Sequence, residues 1–169
     1  MDIFDTIITR RSIRKFTDKP VSPENIEKIL KAAMYAPTAN NYLPFQFIVI
    51  TERAILNEIP NIQPYSKMLY QAPLAILVCG DDEYEKNIGY HVQNCSAATQ
   101  NLLLAAHALG LAGCWIGIYP REARMDGMKK LLKLPENVTP ITLTAIGYSD
   151  KTVETPDRFI SSRIHYNGW

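Results

Sequence analysis

Residues Ile8 to Phe16 read ITRRSIRKF, and four of these side chains are cationic: Arg10, Arg11, Arg14 and Lys15, with the hydroxyl of Ser12 among them. The 169-residue chain carries a net charge of only +1. The cluster is therefore a local device, not part of a broad basic field of the kind that holds nucleic acid. Planar guanidinium forks beside a hydroxyl suit a phosphate, because arginine donates paired, charge-assisted hydrogen bonds worth about 1.5–3 kcal/mol each. In an extended segment alternate side chains share a face, which predicts Arg10, Ser12 and Arg14 on one side and Arg11, Ile13 and Lys15 on the other. The same residues also fit a solvated basic turn after a helix, whose C-terminal end favours cations.

A second polar stretch, APTANNYLPFQF over residues 36–47, places Thr38, Asn40 and Asn41 between two prolines. An asparagine amide both donates and accepts, so it can meet the polar edge of a heterocycle. Asn and Pro are also ordinary turn residues, and a plain loop is the alternative. His91, His107 and His165 show no metal-ligand spacing, and His107 is expected to be a hydrogen-bonded core histidine. No G-x-G-x-x-G run follows a strand, so a dedicated dinucleotide fold is not indicated. Cys79, Cys95 and Cys114 lie in apolar or small-residue surroundings with no CxxC, and read as reduced and buried.

Periodicity places the elements that must position these residues. A helix is expected over residues 2–9, with Ile3, Phe4, Ile7 and Ile8 on one face. A second starts after Ser22, a good N-cap, with Pro23 in its first turn and a stripe of Ile26, Ile29, Leu30, Ala33 and Met34; Pro37 stops it. FQFIVIT (45–51), the continuously apolar LAILVC (74–79), CWIGI (114–118) and ITLTAIGY (141–148) read as strands. Short helices are expected near 52–58 and 65–71, a long one over 85–110 that stops at Gly110, and another over 121–132. The second half of the long helix is apolar on nearly every side, which predicts burial all round and suggests a second subunit over part of it. From Ser149 a polar tail runs to the aromatic HYNGW.

Length and pattern together predict one α+β domain over residues 1–169, a central sheet with helices around it. Hydrophobic residues at 47% and charged residues at 21% suit a globular chain. The opening residues carry Asp2 and lack a long apolar core, so they do not read as a signal peptide, and no apolar run reaches the roughly 18 residues of a membrane span. The expected compartment is the cytoplasm.

Taken in order, RRSIRKF, APTANNYLPFQF, YSKMLYQAP, NCSAATQNLLLAAHALGLAGCWIG and the terminal RIHYNGW resemble the FMN-dependent nitroreductase family, in particular its short bacterial members. The resemblance implies an α+β sandwich whose central, mostly antiparallel sheet is surrounded by helices, in an intertwined homodimer with FMN at the subunit interface. It implies that Arg10, Arg11, Ser12 and Arg14 hold the FMN phosphate and one edge of the ring. Asn41 would contact ring or ribityl polar atoms, with Thr38, Ala39 and Asn40 in the same loop. Lys67 matches a family lysine that approaches the ring, where a cation stabilises an anionic reduced flavin. Gly113, Cys114, Trp115, Ile116 and Gly117 match the segment lining the other face, where small residues permit close backbone approach. Either Arg158 or Arg163 completes the phosphate site. The chain departs from the family pattern at Leu43, where the family has a glutamine, and at Phe45, where it has a tryptophan; Leu43 has no amide to offer.

The activity so implied is a ping-pong oxidoreduction: NADH or NADPH docks transiently, gives hydride to flavin N5 and leaves, and a small-molecule acceptor such as a nitroaromatic or quinone collects the electrons. No catalytic side chain and no metal are called for. Two other functions stay open on the same residues: reductive dehalogenation or flavin-degrading chemistry on the same scaffold, and a non-enzymatic flavin-binding or regulatory protein.

Overall fold

The computed structural model of the chain describes residues 2–169. Four strands form its sheet: β1 (Phe45–Ile50), β2 (Leu74–Asp81), β3 (Ala112–Gly117) and β4 (Val138–Gly147), in the order β1-β2-β4-β3 with every neighbouring pair antiparallel. β2 lies inside the sheet and is buried along its whole length, as its uninterrupted apolar sequence requires. Leu74, Ile76 and Val78 pack against α2 (Pro23–Met34) and α4 (Ile88–Ala108) on one side. Ala75, Leu77 and Cys79 pack on the other side against α3 (Arg53–Ile62), the 3-10 segment Pro64–Tyr70 and α5 (Glu122–Leu132). The sheet is thus the middle of three layers, the α+β sandwich expected from the pattern.

Local chemistry explains the boundaries. Ser22 caps α2 by accepting the Asn25 N–H, with Pro23 in the first turn. α4 begins at Ile88 rather than at 85, because Asn87 caps it through the Gly89 N–H. The acidic residues before it turn instead around Asp81, whose carboxylate accepts the Glu83 N–H and the amides of Gln46 and Asn137. α3 runs past its expected end to Ile62, with Pro60 buried inside it. β4 starts three residues early and carries Pro140 at the register shift opposite Cys79, a bulge where a missing N–H is tolerated.

The expectation of all-round burial for α4 is not met within one chain. Cys95, Ala98, Leu102 and Ala106 are buried, but Gln93, Gln100 and Ala108 are exposed along a stripe that also holds the half-buried Ala97 and Leu104. The short α1 (Ile3–Thr9) likewise leaves Ile3, Phe4, Ile7 and Ile8 exposed. Beyond Asp150 the tail is exposed at every position. It carries Val153, Phe159, Ile160, Ile164, Tyr166 and Trp169 in the open, with His165 stacked on Trp169.

Candidate functional site

β3 is an edge strand, and the arginine-rich segment lies against its free edge. Ser12 bridges Gly113 in parallel register, and the Ile13 N–H donates to the Gly113 carbonyl at 3.1 Å. The strand in turn sits hard on α4. A Cβ at Gly113 would lie 2.9 Å from Leu103 Cδ2, so glycine is what permits this approach. Only this one residue pair is sheet-like, and the strict alternation expected of the arginines fails for that reason. Arg10 and Arg11 turn together toward one end of the segment, and Arg14 and Lys15 turn together toward the other.

Arg14 and Lys15 open onto a cavity of about 720 Å³ bounded by β3, the 3-10 segment and α5. Lys67 and the run Cys114, Trp115, Ile116 and Gly117 share its wall. Arg124 of α5 lines it as well, so four cations face this space, and no carboxylate does. Gln63, buried beneath it, donates its side-chain amide to the Gly117 carbonyl at 2.6 Å and accepts the Tyr65 N–H, which fixes the strand end to the 3-10 segment. Gln63 and Arg124 were not singled out in the sequence. The signal for Gln63 is a lone amide between Ile62 and Pro64, in a frame that should be apolar; Arg124 hides in the charged surface of α5.

At the opposite end, Arg10 and Arg11 line two smaller cavities, of about 490 and 480 Å³, and Arg158 from the tail joins them at the second. Burial, then the charges of Arg11 and Arg158, hold the Arg10 guanidinium below its ordinary pKa. It remains a cation at neutral pH, because arginine titrates so high. Arg11 is differently employed. It donates to the carbonyls of Ile8, Arg10 and Glu154, tying the end of α1 to the tail, while its Nη2 is buried without a hydrogen-bond partner among the described residues. No ion pair among the described residues involves any of these arginines. Cys114 lies between the two groups: burial pushes its thiol up, against Arg14 and Arg10, which pull it down. His107 meets Thr9 across 2.8 Å, as a hydrogen-bonded histidine; burial, then Arg10 and Arg11, depress its pKa.

Four predicted residues lie elsewhere. Thr38, Ala39 and Asn41 belong to a loop anchored where the Ala39 N–H donates to Asn94 in the first half of α4, whereas Thr9 and the arginines meet α4 at His107. At 1.5 Å rise per residue these anchor points stand about 20 Å apart. The loop is strained: Asn40, Asn41 and Leu43 all have positive φ, +49° at Leu43, where a branched side chain is costly. Arg163 sits in the exposed Ser161–Arg163 turn and lines none of these cavities; of the two tail arginines, Arg158 is the one beside Arg10.

The sequence model of the Nitroreductase family matches residues 7–66 and 57–148. The chain belongs to the nitroreductase family. A relative from Methanothermobacter thermautotrophicus, provisionally named NADH dehydrogenase/NAD(P)H nitroreductase, is 47% identical over 169 residues, all of this chain and 88% of its own. Among solved structures, an FMN-dependent nitroreductase from Clostridium difficile superposes with a TM-score of 0.91 at 30% identity, covering 98% of this chain and 99% of that one. A provisionally named nitroreductase from Desulfovibrio desulfuricans, solved in complex with FMN, gives 0.85 at 29% identity, over 100% and 98% of the two chains. This nitroreductase-family chain is an oxidoreductase of that type, and its four-stranded antiparallel sheet with flanking helices is the fold those structures share.

Proposed function

We propose that the protein is an FMN-dependent oxidoreductase that takes a hydride from NADH or NADPH and passes electrons to nitroaromatic or quinone-type acceptors in a ping-pong cycle. The observation that carries this reading is the pairing of unneutralised arginines with a basic, partly apolar cavity across one strand edge. The donor set fits FMN. Among the described residues Arg10 and Arg158 form no ion pair, even with Asp157 on the wall of the cavity they share, and the buried Arg11 Nη2 has no hydrogen-bond partner, which together suit a dianionic phosphate. When bound, FMN supplies the two-electron carrier that the side chains lack. Arg14 and Lys67 offer cations to a ring in the large cavity and favour its anionic reduced form. Trp115, Ile116 and Met68 exclude water from the same wall. The Cys114 thiol, kept protonated by burial, takes no part as a nucleophile. FMN-loaded protein is expected to bleach on anaerobic addition of NADH or NADPH; reduction by dithionite but by neither nicotinamide refutes the reading.

The same reading makes residues 1–169 a single FMN-binding domain of a cytoplasmic homodimer without nucleic-acid or membrane partners. Supporting it are three free, buried cysteines, a net charge of +1, and no helix among the described residues long and apolar enough to cross a membrane. The dimer accounts for three otherwise separate facts: the uncovered stripe of α4, the exposed apolar face of α1 and the apolar side chains of the tail. It also brings Thr38, Ala39 and Asn41 of one protomer to the arginines of the other, if the two α4 helices lie antiparallel about the two-fold axis. Mixing Arg10→Gln and Asn41→Ala protomers tests this. Random re-pairing restores about a quarter of the sites if they are shared between subunits, and none if each site lies within one chain.

A further inference from the structure

The cations of the large cavity outnumber what a flavin ring asks of them. Arg14 and Lys67 serve the ring, and Arg10 and Arg158 serve the phosphate at the other end of the segment. Lys15 and Arg124 are left over, and of the two Arg124 stands on the α5 wall beside an aromatic ring. Its Nη1 donates to the Gly117 carbonyl at 3.3 Å, and its guanidinium carbon lies 5.7 Å from the centre of the Tyr65 ring. Tyr65 is 76% exposed, so this ring offers an open face rather than core packing. Among the described residues Arg124 forms no ion pair, and the cavity wall it shares contains no acid. One hydrogen bond and one stacking contact fix its orientation while further guanidinium N–H groups stay available. That is a preorganised cation against a largely exposed aromatic ring.

Resting on the proposed FMN site, we infer that Arg124 and Tyr65 form a specificity device that selects ligands carrying an oxyanion, carboxylate or phosphate, next to a flat ring. The ring stacks on Tyr65 and the oxyanion takes the free donors of Arg124. Two sources share this chemistry: an acceptor that is itself an aromatic acid, and a reductant whose adenosine bears a 2′-phosphate. The position favours either over its uncharged counterpart, because a charge-assisted hydrogen bond in a part-buried cavity is screened less than one in bulk water.

Titrations on the oxidised, FMN-loaded protein separate the sources without requiring turnover. One arm compares 4-nitrobenzoate with nitrobenzene, the other adenosine 2′-phosphate with adenosine, each as a dissociation constant read from flavin absorbance. Wild type is expected to prefer the charged probe by about tenfold in at least one arm. Arg124→Gln removes that preference and Arg124→Lys keeps part of it, while bound FMN stays stoichiometric in both; the preference shrinks as salt is raised. The inference is overturned if wild type shows no preference in either arm, or if Arg124→Gln leaves the preference intact and only lowers the melting temperature, which makes Arg124 a prop for the Gly117 carbonyl. It is equally overturned if Arg124→Gln loses FMN. A wild type that never holds FMN sinks the flavin reading instead; probe binding, then followed by tyrosine fluorescence, still decides the role of Arg124.

Discussion

Replacing Arg10 with glutamine is expected to move ligand affinity and folding stability in opposite directions. Arg10 is half-buried beside Arg11 and Arg158, and burial followed by these two charges depresses its pKa, so the cation is held where it is unfavourable. A bound phosphate relieves this; an empty site does not. For FMN, losing one charge-assisted interaction of about 1.5–3 kcal/mol raises the dissociation constant roughly 10- to 150-fold. For the FMN-free protein, the same change removes like-charge repulsion. Discounted for solvent screening, that relief is about 0.2–1 kcal/mol, or roughly 1–4 °C in melting temperature for a chain of this size. Quenching of flavin fluorescence reads the first quantity and thermal unfolding of stripped protein reads the second; high salt should shrink the thermal gain. Arg11→Gln supplies the contrast. Its donors hold three backbone carbonyls, so its loss destabilises even the stripped protein. An Arg10→Gln protein that melts lower and binds FMN unchanged refutes the anion-site argument.

Leu43→Asn is expected to stabilise the chain by up to about 1 kcal/mol, because asparagine tolerates the left-handed backbone that leucine occupies at φ +49°. The gain shows as a higher urea midpoint at unchanged slope. Leu77→Ala, at a fully buried position on β2, should cost about 2–5 kcal/mol, whereas Val49→Ala, exposed on the edge strand β1, should stay within about 0.5 kcal/mol; equal losses in equilibrium unfolding contradict the layer assignment. His107 sets a pH dependence. Its folded pKa lies below the ordinary 6.5, through burial, then Arg10 and Arg11, so between the two values the unfolded chain binds more protons. Stability is therefore unaffected by His107 above that range, falls as pH drops through it and levels off below it; His107→Gln should flatten this acid limb, and an unchanged slope in urea titrations at pH 5 to 7 counts against it.

Most of the fold was legible because its elements carry redundant signals. The α2 boundary rests on Ser22, Pro23 and a five-residue stripe at once, and β2 on an unbroken apolar run that only a doubly covered strand tolerates. Boundaries slipped where a single residue decided them. Asp81 and Asn87 organise a turn from residues that would serve a helix equally well, and the bulge at Pro140 depends on pairing with β2. For the site, the arginine cluster and the Cys114–Gly117 run were visible as sequence because they are contiguous. Gln63 and Arg124 were not, since each matters through folded contacts that no local motif announces: Gln63 through the Gly117 carbonyl 54 residues on, and Arg124 through the Tyr65 ring on another element. The alternation of Arg10 to Lys15 failed on a physical point: periodicity needs a continuing ladder, and Ser12–Gly113 is a single rung.

That single rung carries a further consequence. The backbone polar groups on the outer side of β3 have the arginine segment as their shield, and the same residues are the ones that grip an anion. Whatever stiffens the segment from the ligand side also keeps the strand from recruiting foreign chains, so flavin loading and colloidal behaviour should rise and fall together. Amide exchange at Ile13, whose N–H is the bond that seals the rung, would report both in one number.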